Sequence, residues 1–189
     1  MPCYMTKVFY ASPQDLAKRI PELWPLRNKK MAIFGLGSLG APSVLEFARA
    51  GMKKIYMIDY DIVDPATMVR WPFGFSITGE RKSDILKKFI LNNYPYTEPE
   101  PVHLRVGAMP ILEDEDKSQL KRINQYDQIS SIIEKSDLIY DCTAEWGVAH
   151  FLTDLCNEMN TPYIGVSGTQ GGWGGKIFRI RPYKGTGCW

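Results

Sequence analysis

The sequence predicts an α/β fold: a mainly parallel sheet with helices on both faces and antiparallel strands near the C-terminus. Three observations carry that prediction. Short apolar runs recur at Met31–Phe34, Ile55–Ile58, Leu138–Tyr140 and Tyr163–Val166. Segments of helical periodicity lie between them. The first run turns through Gly35, Gly37 and Gly40, and the second ends on Asp59, 19 residues after Gly40. Strand, glycine turn, helix, strand and acid together form a Rossmann-like nucleotide-binding βαβ unit.

The elements follow in order. Residues 1–30 form a preamble, in which Ser12 caps a short helix through Ile20 that Pro21 and Pro25 break. The domain proper spans residues 31–189. Its first helix runs from Leu39 to Ala50, with Ala41, Val44, Leu45 and Ala48 toward the sheet, and Gly51 ends it. A long aromatic connection leads from Asp59 to Gly79 and carries Arg70, Trp71, Phe73 and Phe75. A helix from Lys82 to Asn93 turns Ile85, Leu86, Phe89 and Ile90 to one side. Pro101–Val106 reads as a third strand, and 113–136 as a polar surface excursion with weak helix. Leu138–Tyr140 then delivers Asp141, Cys142, Thr143, Ala144 and Glu145 to the crevice beyond the sheet's carboxyl ends. A helix from Gly147 to Met159, a strand at Tyr163–Val166, a glycine-rich turn and a strand at Lys176–Ile180 complete the chain.

Composition narrows the function. A chain of 189 residues buries one good core, and 44% hydrophobic with 23% charged residues is ordinary for a globular domain. The net charge of +2 gives no general attraction to nucleic acid or an acidic membrane. No apolar run approaches the roughly 18–20 residues that span a bilayer, and the N-terminal stretch lacks a secretory pattern. Four scattered cysteines fit a reduced, cytoplasmic setting. Cys142 and Cys156 read as buried packing residues, and His103 and His150 as structural.

The glycine turn has a definite chemistry. Gly35 and Gly37 bring the backbone close to a phosphate, and Gly40 lets the helix pack on the strand. The free N–H groups near Ser38 and Leu39 point at an anion. Asp59 is placed to accept bonds from a ribose hydroxyl. A dinucleotide carries about two negative charges, which backbone groups largely satisfy, whereas ATP carries about four and recruits cations. Arg70 and Lys82 follow the βαβ unit, and acids gather at Asp61, Asp141 and Glu145. That pattern favours ATP over a nicotinamide or flavin cofactor, the rival oxidoreductase reading.

The run IFGLGSLG, then IDYDIVDPATMVR, GERK and DLIYDCTAEW, resembles the ThiF/MoeB/HesA and ubiquitin-activating enzyme superfamily. The resemblance covers about Met31 to Trp189. It implies that Gly35, Gly37 and Gly40 cradle the nucleotide and that Asp59 binds the ribose. Arg70 matches the arginine of the family's N-x-x-R, and Lys82 its phosphate-binding lysine; both are the expected catalytic residues. Asp61 and Thr143 complete the expected contacts to ATP. The implied reaction is adenylation of the C-terminal glycine carboxylate of a ubiquitin-like or sulfur-carrier protein, in a homodimer or heterodimer. A non-catalytic partner subunit of such an enzyme is the alternative.

The chain departs from the family pattern at Thr67 and Ala144, and the family's N-terminal R-Y-x-R-Q segment is not recognisable in it. Thr67 stands where relatives have Asn. Ala144 stands at the magnesium-binding acid of the D-x-T-D-N box, leaving Glu145 as the candidate ligand. Cys188 matches the first cysteine of a zinc site, so zinc is expected only if the chain continues, as in a fragment of a longer protein.

Overall fold

The computed structural model describes residues 5–8, 12–16, 18–107, 115–182 and 184. Among them, six strands form one sheet: β1 (Lys30–Phe34), β2 (Lys54–Ile58), β3 (Glu98–Val102), β4 (Leu138–Asp141), β5 (Tyr163–Gly168) and β6 (Gly175–Ile180). Their order is β3-β2-β1-β4-β5-β6. All neighbours pair in parallel except β5 and β6, which pair antiparallel. The order reverses between β1 and β4, so the segments leaving these two strands part and open a crevice.

Both faces of the central strands are covered, and the side-chain alternation shows it. Ala32, Phe34, Tyr56 and Ile58 pack with Ile129, Ile133, Leu152 and Leu155 on one face. Met31, Ile33, Ile55 and Met57 pack with Ala41, Val44, Leu86 and Ile90 on the other. The first face receives α4 (Glu115–Glu134) and α5 (Trp146–Glu158); the second receives α2 (Gly40–Arg49) and α3 (Lys82–Asn93). Strands enclosed on both sides have to be near-continuously apolar, as β1 and β2 are.

Several boundaries differ from expectation. The preamble helix is only α1 (Pro13–Leu16), and Pro21 opens a 3-10 helix, Pro21–Asn28, rather than simply ending one. Proline suits a first helical position because its missing N–H has no partner there. The third strand is Glu98–Val102, not Pro101–Val106. Pro99 and Pro101 stand two residues apart, so both lack an N–H on the same side, and β3 turns that side to the open sheet edge. The excursion expected at 113–136 is in large part a 20-residue helix whose Ile129, Ile132 and Ile133 are buried. Polar residues earlier in that segment mask a core-facing stripe of i, i+3, i+4 spacing. Glu113, Asp114, Cys3 and the Cys188 motif lie outside the described residues.

Candidate functional site

The glycine turn after β1 is held by its neighbours. Gly35 takes φ +81°, a left-handed conformation that costs glycine little, and its N–H donates to the Ile58 carbonyl at 2.9 Å. A Cβ on Gly40 would lie 1.8 Å from the Gly35 oxygen, so only hydrogen fits. A Cβ on Gly37 would meet nothing within 4 Å, so this residue presents bare backbone to open space. The helix that follows has no side-chain cap, and its first N–H groups have no side-chain acceptor.

Asp59 organises this turn. Its Oδ2 accepts from the Leu36 N–H at 2.6 Å, and its Oδ1 accepts from the Asp61 N–H at 2.7 Å. A carboxylate has about four lone-pair sites, so acceptor capacity remains for a ligand.

The connection from β2 to α3 is a loop pinched at its base. The Val63 N–H donates to Glu80 O, the Gly79 N–H to Val63 O, and the Lys82 N–H to Asp61 O. Lys82 opens α3 and is 7% exposed; its ammonium bonds Asp61 Oδ2 at 2.8 Å. A buried ammonium needs such a counter-charge. Arg70 ends a 3-10 helix, Pro65–Arg70, which Asp64 caps by accepting from the Ala66 N–H. Arg70 is exposed and forms no ion pair among the described residues. The Thr67 hydroxyl is spent on the Asp64 carbonyl.

The exit of β4 supplies the opposite wall. Asp141 is buried; its Oδ1 accepts from the Thr143 N–H and hydroxyl, and its Oδ2 from the Tyr163 hydroxyl at 2.7 Å. Burial and then the Asp141 charge push the Tyr163 hydroxyl well above its ordinary value. The same causes push the Cys142 and Cys156 thiols up to about 12. Both cysteines are buried, unpaired packing residues, as expected.

Two cavities meet at the crevice. The first, about 500 Å³, is lined by Phe34, Gly35, Asp59, Leu104, Glu145 and Val148. The second, about 710 Å³, is lined by Ser38, Leu39, Thr67, Arg70, Ala144, Gly168, Thr169, Gly171 and Gly172. Gly37, Asp61, Lys82, Cys142 and Thr143 border both. Every nucleotide-site residue expected from sequence except Gly40 therefore lines this joined space, and Gly40 packs directly beneath it.

Beside Arg70 the second cavity carries one carboxylate, Asp61, which Lys82 already pairs, fewer than an all-protein magnesium cage needs. Ala144 offers a methyl group there, and both Asp141 oxygens already accept hydrogen bonds from Thr143 and Tyr163. Glu145 lines the first cavity and does not border the second. Among the described residues no group of three or more His, Cys, Asp or Glu could hold a metal ion. His103 is structural: its Nδ1 lies 3.2 Å from the Ser83 hydroxyl and its Nε2 3.3 Å from Asp84, tying α3 to the end of β3.

Sequence reasoning missed one wall of the first cavity. Because β3 ends at Val102, Leu104–Gly107 border the cavity instead of the sheet, and Arg105 lies 4.9 Å from the Tyr60 ring centroid.

Sheet order, glycine turn and crevice define a Rossmann-like α/β domain. Residues 19–189 match the ThiF family, and the chain belongs to that family. It is 33% identical over 178 residues to the uncharacterized protein y4qC of Sinorhizobium fredii, covering 94% of this chain and 29% of that protein. It is 27% identical to the adenylyltransferase and sulfurtransferase UBA4 of Candida albicans, covering 77% of this chain and 29% of that one. The chain thus spans under a third of the length of these curated relatives. Among solved structures, E. coli MccB with ATP shares the fold with a TM-score of 0.60 at 19% identity, over 77% of this chain and 38% of that one. No helix among the described residues is long and apolar enough to cross a membrane.

Proposed function

We propose that this chain is the nucleotide-binding part of an ATP-dependent adenylyltransferase acting on the C-terminal glycine carboxylate of a ubiquitin-like or sulfur-carrier protein. The observation that carries the reading is the joining of the two cavities at Gly37, Asp61, Lys82 and Thr143. Adenosine occupies the first cavity, its ribose on Asp59. The phosphates run over Gly37 and the start of α2 toward Lys82 and Arg70, and the carrier tail enters past Gly168–Gly172. A carboxylate oxygen of the tail attacks the α-phosphorus, and the bond from that phosphorus to the bridging α–β oxygen breaks. The products are an acyl adenylate and pyrophosphate, and the leaving electron pair stays on pyrophosphate. The protein's part is alignment and stabilisation of developing charge by Arg70 and Lys82. Lys82 exchanges Asp61 for a phosphate oxygen when the nucleotide binds.

The names of UBA4 and of a probable molybdopterin-synthase adenylyltransferase from Porphyra purpurea support the reaction class. The experiment is exchange of labelled pyrophosphate into ATP with the full open reading frame and candidate carriers ending in Gly-Gly. Carrier-dependent exchange, reduced at least about 100-fold in Arg70→Ala or Lys82→Ala, is expected. Absence of exchange with every carrier sinks the reading.

Ala144 favours a second reading, a nucleotide-binding partner subunit without catalysis of its own. That reading requires exchange to appear only when an active homologous subunit is added.

A further inference from the structure

Leu36, fully buried at the centre of the glycine turn, is gripped from two sides. Asp59 takes its N–H at 2.6 Å, and the Trp71 indole N–H donates to its carbonyl at 2.7 Å. Trp71 directly follows Arg70, and its own N–H closes the 3-10 helix by donating to Met68 O at 3.2 Å. Its ring is buried and packs edge-on against Phe73, 5.5 Å between centroids.

The remaining fastenings of this connection lie elsewhere. Asp64 caps the 3-10 helix at its start, and the bonds of Val63, Gly79 and Lys82 close the loop at its base. The indole bond spans 35 residues and joins the Arg70 segment directly to the turn under the phosphates. Asp59 and Trp71 therefore hold the same residue, Leu36, through the two peptide groups that flank it.

We propose that Trp71 is a positioning residue: its indole N–H locks the Arg70 turn in register with the glycine turn. This rests on the reading of Arg70 as a phosphate ligand given above. Trp71→Phe keeps a ring in the aromatic cluster and removes the donor, leaving the buried Leu36 carbonyl without its partner.

The test is a double-mutant cycle of Trp71→Phe and Arg70→Ala in the full open reading frame, read as ATP affinity by calorimetry. It is paired with amide and indole hydrogen exchange by NMR. Trp71→Phe is expected to weaken ATP binding about 10-fold while its melting temperature shows a folded protein. The double variant is expected to bind no worse than Arg70→Ala alone, because Trp71 acts through Arg70. The wild-type indole N–H of Trp71 is expected to exchange slowly, and Leu36 amide exchange to quicken in Trp71→Phe. Additive losses in the cycle, or unchanged ATP affinity in Trp71→Phe, overturn the proposal. A wild-type protein that binds no ATP defeats the functional reading itself. In that event a fast-exchanging wild-type indole, or unchanged Leu36 exchange, separately overturns the lock.

Discussion

Gly37 and Gly40 stand three residues apart in one motif and answer to different constraints. A methyl at position 40 collides with backbone, the Gly35 oxygen at 1.8 Å, which has no side-chain freedom to give way. Gly40→Ala should therefore cost about 3 kcal/mol or more in a denaturant melt. Gly37→Ala meets no atom within 4 Å and should shift stability by no more than about 0.5 kcal/mol. Its methyl occupies space a phosphate would take, so ATP affinity in calorimetry should fall at least about 10-fold. Equal melts for the two variants would contradict this division of labour. Ala144 poses another residue-scale question, because φ +57° is a conformation that Asp and Asn adopt more readily than Ala. Ala144→Asp puts a carboxylate on the second cavity without forcing a new backbone. Calorimetry with magnesium and then EDTA should show nucleotide binding more magnesium-dependent in that variant than in wild type.

The elements were legible to different degrees, and the differences have physical causes. β1 and β2 stand out because both faces are covered, so every residue after the first lysine is apolar. The edge strand β3, by contrast, reads EPEPV, and its charged and proline residues hide it. The helix α4 is hidden by its polar residues, yet Ile133 is fully buried against the sheet. Ile133→Ala should destabilise the fold by about 2–5 kcal/mol, as a buried core position does and a surface excursion does not. Cys142 at the end of β4 and Cys156 on α5 report on the same region. Their thiols, pushed up to about 12, stay protonated in the folded chain at pH values where an unfolded cysteine ionises. Since the folded value is raised, their contribution to stability is complete below about pH 8.5 and is lost as pH rises toward 12. In a Cys3→Ser/Cys188→Ser background, thiol-alkylating reagent at pH 8.5 should label neither cysteine until denaturant unfolds the protein. Labelling that precedes unfolding would show the thiols to be accessible.

For the whole molecule, topology joins what sequence reasoning could only name separately. Gly37, Asp61, Lys82 and Thr143 come from three parts of the chain, and the reversal of strand order brings them to one crevice. Glycines, acid, arginine and lysine were readable as local motifs. The Lys82–Asp61 pair, the Asp141–Tyr163 bond and the Trp71–Leu36 bond were not, because each depends on packing between distant segments. The proposed function requires this crevice to take ATP rather than a redox dinucleotide. Its most direct test is parallel calorimetric titration of the protein with ATP and with NAD. Saturable one-to-one binding of ATP, weakened at least about 10-fold in Lys82→Ala, with no heat from NAD, is the predicted result. Saturable NAD binding without ATP binding, or ATP binding indifferent to Lys82, would contradict it.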